Sequence, residues 1–267
     1  MNVAITGGAR GIGRATAEAA VRAGHRVAIA DLDLELAQDA AREIGGDTVG
    51  FALDVRDPDA FAAFLDGAEA ALGPLDVLVN NAGVAFLGAF AEEDPERTRQ
   101  TVEVNLLGVM TGSRLALDRF LPRRSGHLVN IASSAGQIAP PHGATYAATK
   151  HAVVGFTRAL RAETRGTGVR TTIVMPGVIR TEMTGGFANA RGTRVVEPSA
   201  VGEAIVDALR TGRPEVFVPR ELGIAARLIA GLPPRASDGL KRLVGADDVM
   251  TKANLPERAE YERRAGE

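Results

Sequence analysis

The stretch NVAITGGARGIGRATAEAAVRAGHRVAIAD, residues 2–31, decides the fold of this chain. A short apolar and β-branched run opens it, a glycine-rich turn leads into an alanine-rich segment of helical period, and a second apolar run closes it. This order of strand, helix and strand predicts a βαβ unit, whose two strands lie parallel in one sheet.

The alternation of short apolar runs with longer helical segments continues along the chain. Helical periodicity covers residues 11–24, 34–44, 58–72, 95–121 and 146–164, and strand-like runs cover residues 2–6, 26–31, 49–53, 75–81, 127–132, 169–175 and 215–219. Runs rich in Val, Ile and Leu that are joined by helices are typical of a parallel sheet covered on both faces. We therefore predict an α/β fold, a doubly wound (Rossmann) seven-stranded parallel sheet with helices on both faces.

The domain organisation follows from the same pattern. No repeat or low-complexity linker interrupts it, so we predict a single Rossmann-type domain over residues 1–267. Residues of about 184–198 turn to Gly, Thr, Asn and Arg, which predicts either a mobile substrate loop over a site or a plain surface loop. Residues of about 220–267 form a predicted helical extension, in which ELGIAARLIAGL is amphipathic and the final PERAEYERRAGE is expected to be solvated and frayed.

Composition excludes several classes of function. The formal net charge of -2 at pH 7 disfavours nucleic acid as a partner, because nucleic-acid binding needs a basic excess. The absence of cysteine excludes disulfides and thiolate metal sites, and we predict no metal ligands. Neither a signal peptide nor a transmembrane segment is predicted, and we therefore expect a cytoplasmic protein.

The glycine-rich turn has the context that a dinucleotide-binding turn requires. Gly7, Arg10, Gly11, Ile12 and Gly13 follow the first strand and open the first helix, where free N–H groups and the helix dipole attract a pyrophosphate. Glycine lets the backbone approach such a ligand closely, although a tight turn without a ligand would use the same residues.

Polar side chains at the ends of the next strands extend this candidate site. Asp31 ends the second strand, where a carboxylate accepts the adenosine ribose hydroxyls and favours NAD over NADP; Arg10 could offset the repulsion of a 2′-phosphate, so NADP stays possible. The alternative for Asp31 is a helix N-cap. Asp54 and Val55 follow the third strand, and the sequence Asn80-Asn81-Ala82-Gly83 follows the fourth; a helix cap and a turn are the respective alternatives.

Tyr146 and Lys150 stand four residues apart on a predicted helix, so their side chains share one face. The chain holds only two tyrosines, which makes this spacing informative. A tyrosine that takes a proton near neutrality must lower its pKa by about three units, or about 4 kcal/mol. An ammonium about 4 Å away supplies about 4 kcal/mol at an effective dielectric constant near 20. We therefore expect Tyr146 to be an acid/base that Lys150 makes more acidic.

Two further polar residues complete the predicted chemistry. Ser133 lies just past the fifth strand, where its hydroxyl could hold the reacting oxygen or simply cap a loop. Asn105 is an amide among apolar neighbours of a predicted helix, where it could hold a water in a proton relay or be an ordinary buried amide with a partner.

These motifs resemble those of the classical short-chain dehydrogenase/reductase family from residue 1 to about residue 184. TGGARGIG resembles its cofactor turn, NNAG and YAATK resemble its fourth-strand and active-helix motifs, and PGVIRTEM resembles its motif after the sixth strand. The resemblance implies a catalytic tetrad of Asn105, Ser133, Tyr146 and Lys150. It also implies a homotetramer or homodimer, and a cofactor site lined by Gly7, Arg10, Gly11, Ile12, Gly13, Asp31, Asp54, Val55, Asn81, Ala82, Gly83, Tyr146, Lys150, Val178 and Thr181.

The expected function is hydride transfer between a nicotinamide cofactor, NAD or alternatively NADP, and a small-molecule alcohol or ketone. The C-terminal part resembles retinol and 17β-hydroxysteroid dehydrogenases more loosely, which implies a hydrophobic substrate. Phe86, Ile138, Pro141 and Phe187, with His142 at the rim, could line an apolar pocket or pack in the core. An NADPH-dependent oxoacyl reductase and a noncatalytic dinucleotide-binding protein are the alternatives.

Overall fold

The computed structural model describes residues 1–187, 194–243 and 247–266. Within them, seven strands form one parallel sheet in the order β3-β2-β1-β4-β5-β6-β7. The strands are β1 (Asn2–Thr6), β2 (Arg26–Asp31), β3 (Val49–Ala52), β4 (Val77–Asn80), β5 (Gly126–Ile131), β6 (Val169–Pro176) and β7 (Glu215–Val218). The predicted seven-stranded doubly wound sheet is confirmed.

Helices connect the strands and cover both faces of the sheet. They are α1 (Gly11–Arg22), α2 (Leu34–Ile44), α3 (Pro58–Leu72), α4 (Pro95–Val102), α5 (Gly108–Arg123), α6 (Ala144–Glu163), α7 (Pro198–Thr211), α8 (Glu221–Ala230), α9 (Pro234–Leu243), α10 (Asp248–Thr251) and α11 (Leu255–Gly266). No helix in the described part of the chain is both long and apolar enough to cross a membrane.

The core lies on both sides of the sheet because successive side chains of a strand point to opposite faces. Val3 and Ile5 of β1 pack in a cluster with α1 and α7, whereas Ala4 packs in the opposite cluster with α3 and α5. A strand that is buried on both faces reads as a continuous apolar run, which is why the strands were visible in the sequence.

The strand order reverses between β1 and β4, because the chain first builds outward through β2 and β3 and then returns to the other side of β1. Ligands of open parallel sheets bind at the carboxyl ends of the strands beside such a reversal. The loops after β1 and β4 meet at this point, and they carry the glycine-rich turn and the Asn81-Ala82-Gly83 sequence.

The helix predicted for residues 95–121 is confirmed, but it contains a π turn in its middle. α4 ends at Val102, a π-helical turn spans Glu103–Leu107, and α5 runs from Gly108 to Arg123. Such π turns are rare and frequently lie at functional sites. This turn carries Asn105, whose fully buried side chain bonds outside its own helix, and local periodicity does not reveal such a contact.

The C-terminal extension contains the predicted amphipathic helix as α8, but the prediction of a frayed tail is wrong. Residues Leu255–Gly266 form α11, and Arg258 within it is 1% exposed. Arg258, Glu262 and Arg264 of the tail have partners far away in the chain, which the sequence did not indicate. Glu260 and Arg263 pair with each other and are largely exposed, as the prediction of a solvated tail expected. The predicted substrate loop of residues 184–198 includes residues 188–193, which lie outside the described residues; after them, Val196 forms an isolated parallel bridge with Ile179.

Candidate active site

The glycine-rich turn between β1 and α1 adopts conformations that need glycine. Gly7 and Gly11 have φ angles of 62° and 52°, which side chains with a Cβ rarely adopt. A Cβ on Gly13 would lie 2.0 Å from the carbonyl oxygen of Gly7. Gly13 therefore acts by letting the helix pack against the turn.

Asn81 ties the turn to the end of β4. Its Nδ2 donates to the carbonyl oxygens of Thr6 and Gly7 at 2.9 Å each, and its backbone N–H donates to the Thr6 hydroxyl at 3.0 Å. Ala82 N–H donates to the same hydroxyl at 3.1 Å. Asn80 ends β4 and residues 81–83 form no turn, so the turn alternative is wrong for this sequence. Its role is to support the glycine loop.

Asp31 is held at the end of β2 and does not cap a helix. Its carboxylate accepts from Ala9 N–H at 3.2 Å and from Leu32 N–H at 3.0 Å, while Asp33 caps α2 through Leu36 N–H. Burial raises the pKa of Asp31, and the two backbone hydrogen bonds oppose that shift. The helix-cap alternative for Asp31 is excluded, and its carboxylate remains beside the glycine turn.

Asp54 is likewise not the cap of α3, which is Asp57. Asp54 instead forms an ion pair with Arg56 at 2.7 Å. Arg10 of the glycine turn also has a charged partner, because its Nη1 lies 3.1 Å from Oε2 of Glu182 in the segment after β6. The sequence indicated neither ion pair.

One cavity of about 1110 Å³ runs from the glycine turn to Tyr146 and Lys150. It is lined by most of the predicted cofactor residues, namely Gly7, Arg10, Gly11, Ile12, Asp31, Asp54, Val55, Asn81, Ala82, Gly83, Tyr146, Lys150 and Thr181, and by Ser133. Gly13, Val178 and Asn105 are not in its lining. Val178 packs with an apolar cluster around Tyr146, and its carbonyl accepts from Val196 N–H at 3.0 Å.

The sequence did not predict several residues that line this cavity. Glu182 and Met183 reach it from the segment after β6, and Tyr261, Arg264 and Ala265 reach it from α11. Glu182 and Met183 end the PGVIRTEM motif, and Tyr261 is the second of two tyrosines in the chain; these were the signals in the sequence.

The cavity is not lined by any of the residues expected to form an apolar pocket, namely Phe86, Ile138, Pro141, Phe187 and His142. Phe86 is buried under the guanidinium of Arg97, 5.0 Å from its ring centroid. Phe187 lies beneath the guanidinium of Arg258 at the same distance. The packing alternative is therefore correct for these two rings.

Tyr146 and Lys150 are both buried on the face of α6 that packs toward β5. The Lys150 ammonium donates to the carbonyl oxygen of Ile131 at 3.1 Å and lies 5.7 Å from the centroid of the Tyr146 ring. A Cβ on Gly136 would lie 2.7 Å from the carbonyl oxygen of Lys150, so the close approach of this loop to α6 depends on glycine.

Ser133 faces Tyr146 from the end of β5. Its Oγ accepts from Ala135 N–H at 3.1 Å, as the loop-cap reading expected, and it also forms a hydrogen bond with Tyr146 that favours the phenolate. Ser133 therefore caps the loop, and its hydroxyl also lies beside the Tyr146 hydroxyl, where the reacting oxygen is expected.

The expected acidification of Tyr146 is not found in the chain alone. Burial raises the pKa of Tyr146, and the hydrogen bond with Ser133 only opposes this shift. Burial also lowers the pKa of Lys150 to about 8. The reason is desolvation, which disfavours both charged groups when no further charge lies beside them.

Asn105 stands behind the cavity wall. Its Oδ1 accepts from Val84 N–H and its Nδ2 donates to the Val84 carbonyl, both at 2.8 Å. A Cβ on Gly83 would lie 3.1 Å from Asn105 Oδ1 and 3.5 Å from Lys150 Nζ. Asn105 is therefore a buried amide with partners, next to Lys150, and it is separated from the cavity by Gly83.

The family model for short chain dehydrogenases matches residues 1–192. The chain belongs to the short-chain dehydrogenase family. The expected resemblance is thereby confirmed, and this short-chain dehydrogenase is an oxidoreductase of the class that acts on CH–OH groups.

Relatives of this short-chain dehydrogenase carry different substrate names. It is 36% identical to D-threitol dehydrogenase of Mycolicibacterium smegmatis, over 92% of this chain and 89% of the relative. It is 45% identical to inactive 2-(S)-hydroxypropyl-CoM dehydrogenase 2 of Xanthobacter autotrophicus, over 61% of this chain and 71% of the relative. It is 31% identical to 17-beta-hydroxysteroid dehydrogenase 13 of Rattus norvegicus, over 90% of this chain and 82% of the relative.

A solved structure shares the fold of this short-chain dehydrogenase. The crystal structure of a short chain dehydrogenase/reductase from Burkholderia phymatum in complex with NAD has a TM-score of 0.79 and 26% sequence identity, and the match covers 90% of this chain and 95% of that chain.

Proposed function

We propose that this short-chain dehydrogenase transfers a hydride between NAD and a secondary alcohol or ketone, with Tyr146 as the acid/base. The observation that carries the proposal is that Ser133, Tyr146 and Lys150 line the same cavity as the glycine-rich turn. A catalytic group and a cofactor cradle in one cavity are what a proton transfer coupled to hydride transfer requires.

The residues present fit a dinucleotide. The turn at Gly7 and Gly11 exposes backbone at the N-terminus of α1, which suits a pyrophosphate. Asp31 offers a carboxylate at the end of β2, where it would accept both hydroxyls of the adenosine ribose and repel a 2′-phosphate. A bound nicotinamide supplies the hydride acceptor or donor.

Each catalytic side chain has a role that follows from its position. The Ser133 hydroxyl and the Tyr146 hydroxyl would hold the substrate oxygen between them, and Tyr146 would take the alcohol proton or return it to the ketone oxygen. Lys150, one helical turn from Tyr146, would stabilise the phenolate as an ammonium and bind the nicotinamide ribose. The positive charge that an oxidised nicotinamide brings would favour that phenolate further.

Asn105 acts as a positioning residue in this proposal. Its two hydrogen bonds to Val84 keep Gly83 against Lys150, so the ammonium stays close to the cavity wall. The Thr149 hydroxyl lies 3.3 Å from Asn105 Nδ2. The water relay expected from the sequence would need a water on this side of the Asn105 amide.

The substrate is proposed to be hydrophobic. Tyr146 packs with Leu87, Val249 and Met250 in an apolar cluster. The apolar side chains of Val84 and Met183 line the same cavity as Tyr146. The likeness to a 17-beta-hydroxysteroid dehydrogenase supports a bulky alcohol, whereas the likeness to a threitol dehydrogenase supports a small polyol. The apolar surroundings of Tyr146 favour the former.

Replacing Tyr146 by Phe tests the activity. A screen of ketones with NADH and of alcohols with NAD, followed by optical absorbance, first identifies a substrate. Tyr146→Phe should then lower turnover by at least ~100-fold, because it removes the transferred proton, and should leave NADH binding intact. Unchanged turnover would refute the role of Tyr146. Absence of turnover with every probe would favour the noncatalytic alternative, which the inactive Xanthobacter relative keeps open.

An NADPH-dependent oxoacyl reductase is the second candidate. Arg10 favours it because a guanidinium in the glycine turn can pair with a 2′-phosphate. Against it, Arg10 is engaged by Glu182 and Asp31 occupies the ribose end of the cavity. Titrations with NADH and NADPH, followed by the fluorescence of the reduced nicotinamide, compare the two affinities directly.

The family resemblance also leads us to propose a homo-oligomer, a dimer or tetramer formed through the helices around residues 95–121 and 146–164. Leu107 and Met110 support this because they are 49% and 39% exposed on the π turn and on α5. Apolar side chains of this size on one face are typical of a contact surface.

A further inference from the structure

The C-terminal helix α11 covers the cavity and lies beyond the residues 1–192 that the family model matches. Tyr261, Arg264 and Ala265 of α11 line the same cavity as Ser133 and Tyr146. The helix therefore contributes part of the cavity wall.

Arg258 holds α11 against two loops, one after β4 and one after β6. Its guanidinium donates to the carbonyl oxygens of Met183 at 2.6 Å and Gly185 at 3.2 Å, in the segment after β6, and to that of Ala85 at 3.0 Å, in the loop after β4. The side chain is fully buried, and Glu262 of the same helix is its charged partner at 3.3 Å. A buried guanidinium is stable only where its donors have partners, so this residue fixes the spacing of the two loops.

Other contacts continue the attachment along α11. Glu262 also pairs with Arg97 at 3.0 Å, and the carbonyl oxygen of Ala265 accepts from Gln100 Nε2 at 2.6 Å, so the helix is tied to α4. On the opposite side, Arg264 pairs with Glu182 at 3.0 Å, and Glu182 also pairs with Arg10. The helix thus spans the cavity from α4 to the segment after β6.

Tyr261 is positioned by this attachment. Its hydroxyl accepts from Ala85 N–H at 3.0 Å, and the Arg258 guanidinium lies 5.3 Å from its ring centroid. Burial raises the pKa of Tyr261, and Tyr146 is near enough that its negative charge would raise it further. The ring of Tyr261 is therefore a neutral, largely apolar surface in the cavity that Tyr146 also lines.

We propose that α11 is one wall of the substrate-binding part of the cavity. Arg258 holds this helix in place, and Tyr261 limits the size of the substrate beside Tyr146. The inference rests on the proposed function for the identity of the reacting site. Bulky substrates enter only when the contacts of Arg258 break and α11 moves away. The ring of Tyr261 sets how far an alkyl group can extend past the reacting carbon.

A labelling experiment tests the closure without any turnover. Because the chain has no cysteine, Tyr261→Cys introduces a single thiol in the cavity, and Arg263→Cys introduces one on the exposed side of the same helix. The thiol at position 261 should react with a small maleimide at least ~10-fold more slowly than that at position 263, because reaction requires local opening. Equal rates would overturn the proposal.

The labelling rate of the thiol at position 261 also tests whether Arg258 holds α11 in place. Adding Arg258→Met to Tyr261→Cys should raise its labelling rate at least ~10-fold, since several buried charge-assisted hydrogen bonds are lost. The matched control is Arg263→Met, which removes an arginine of the same helix whose side chain is largely exposed, and should leave the rate unchanged. If Arg258→Met does not fold, Arg258→Lys, which keeps the charge but not the planar fork, replaces it. An unchanged labelling rate in the folded variant would overturn the proposed role of Arg258.

The size limit is tested with NADH and a series of 2-alkanones of increasing length. Tyr261→Ala should raise kcat/KM for the longest ketones relative to the shortest by at least ~10-fold, because it removes a large ring, while the Kd for NADH stays unchanged. Tyr261→Phe keeps the ring and should keep the wild-type preference. An unchanged preference in Tyr261→Ala would overturn the size limit. Failure of the wild-type chain on every ketone would instead count against the proposed function, and the labelling rates would still decide the closure.

Discussion

At the scale of single residues, the site contains charged groups whose environment sets their chemistry. Lys150 is buried and its pKa lies at about 8, so it is an ammonium at neutral pH and loses its proton in weakly alkaline solution. Asp31 is a carboxylate at the opposite end of the cavity from Lys150. Two backbone N–H groups donate to it and fix the orientation of its side chain.

Replacing Asp31 by Asn should change the cofactor preference. The variant loses the charged acceptor for the ribose hydroxyls, so the Kd for NADH should rise by about 10-fold, in keeping with about 1.5 kcal/mol for a hydrogen bond to a charged group. The repulsion of a 2′-phosphate disappears at the same time, so the ratio of NADPH to NADH affinity should increase. Fluorescence titration of both cofactors measures this. Asp33→Asn, at the neighbouring helix cap, is the control, and an identical ratio in Asp31→Asn would contradict the role of Asp31.

At the scale of elements, the start of α1 depends on how closely it packs against β1. Gly13→Ala would place a Cβ 2.0 Å from the carbonyl oxygen of Gly7 and 2.6 Å from Asn81 Nδ2. The turn must move to relieve this contact, which should cost about 1–3 kcal/mol of unfolding free energy and weaken NADH binding at least ~10-fold.

Gly155→Ala is the matched control for this substitution. Gly155 lies in α6 with nothing within 4 Å of an added Cβ. The change should stabilise the chain by up to about 1 kcal/mol, since alanine is the better helix former, and should leave NADH binding unchanged. Denaturant unfolding and fluorescence titration report the two quantities. Equal NADH affinity in the Gly13 and Gly155 variants would show that the turn tolerates a side chain.

At the scale of the whole molecule, the sheet contains a buried base that should make stability depend on pH. His127 of β5 is 1% exposed, and its Nε2 lies 2.7 Å from the Thr172 hydroxyl of β6. Burial, and then the charge of Arg170, lower the pKa of His127 from 6.5 to about 4. The unfolded chain therefore binds this proton first as the pH falls.

The free energy of unfolding should accordingly fall between pH 6.5 and pH 4, by about 3 kcal/mol from His127 alone, and the contribution is fully present above pH 6.5. His127→Gln removes the titrating group and should flatten this dependence relative to the wild type. Urea unfolding at several pH values gives the comparison. Parallel profiles for the two chains would show that His127 is not the source.

The proposed oligomer also belongs to this scale. Leu107→Glu combined with Met110→Glu should dissociate it, because two charges would be buried in an apolar contact. Leu228→Glu, which alters a 64% exposed apolar residue of α8, should leave the assembly intact. Light scattering coupled to size-exclusion chromatography measures the mass. An unchanged mass in the double variant would place the contact elsewhere.

The assignment of one domain also stays a prediction, which the continuous sheet supports.

The sequence by itself determined the parallel sheet, the glycine turn, Asp31 and the pair Tyr146 and Lys150. These features depend on local periodicity, on backbone conformations that favour glycine, and on side chains one helical turn apart, so neighbouring residues encode them.

Only the tertiary structure decided the π turn at Asn105, the ion pair of Arg10 with Glu182, and the docking of α11 over the cavity. Arg258 shows the reason: its partners at Ala85 and Met183 are 173 and 75 residues away in the chain. A charged tail looks the same in the sequence whether water or distant carbonyl oxygens satisfy it, and the difference arises only when the fold brings those carbonyl groups together.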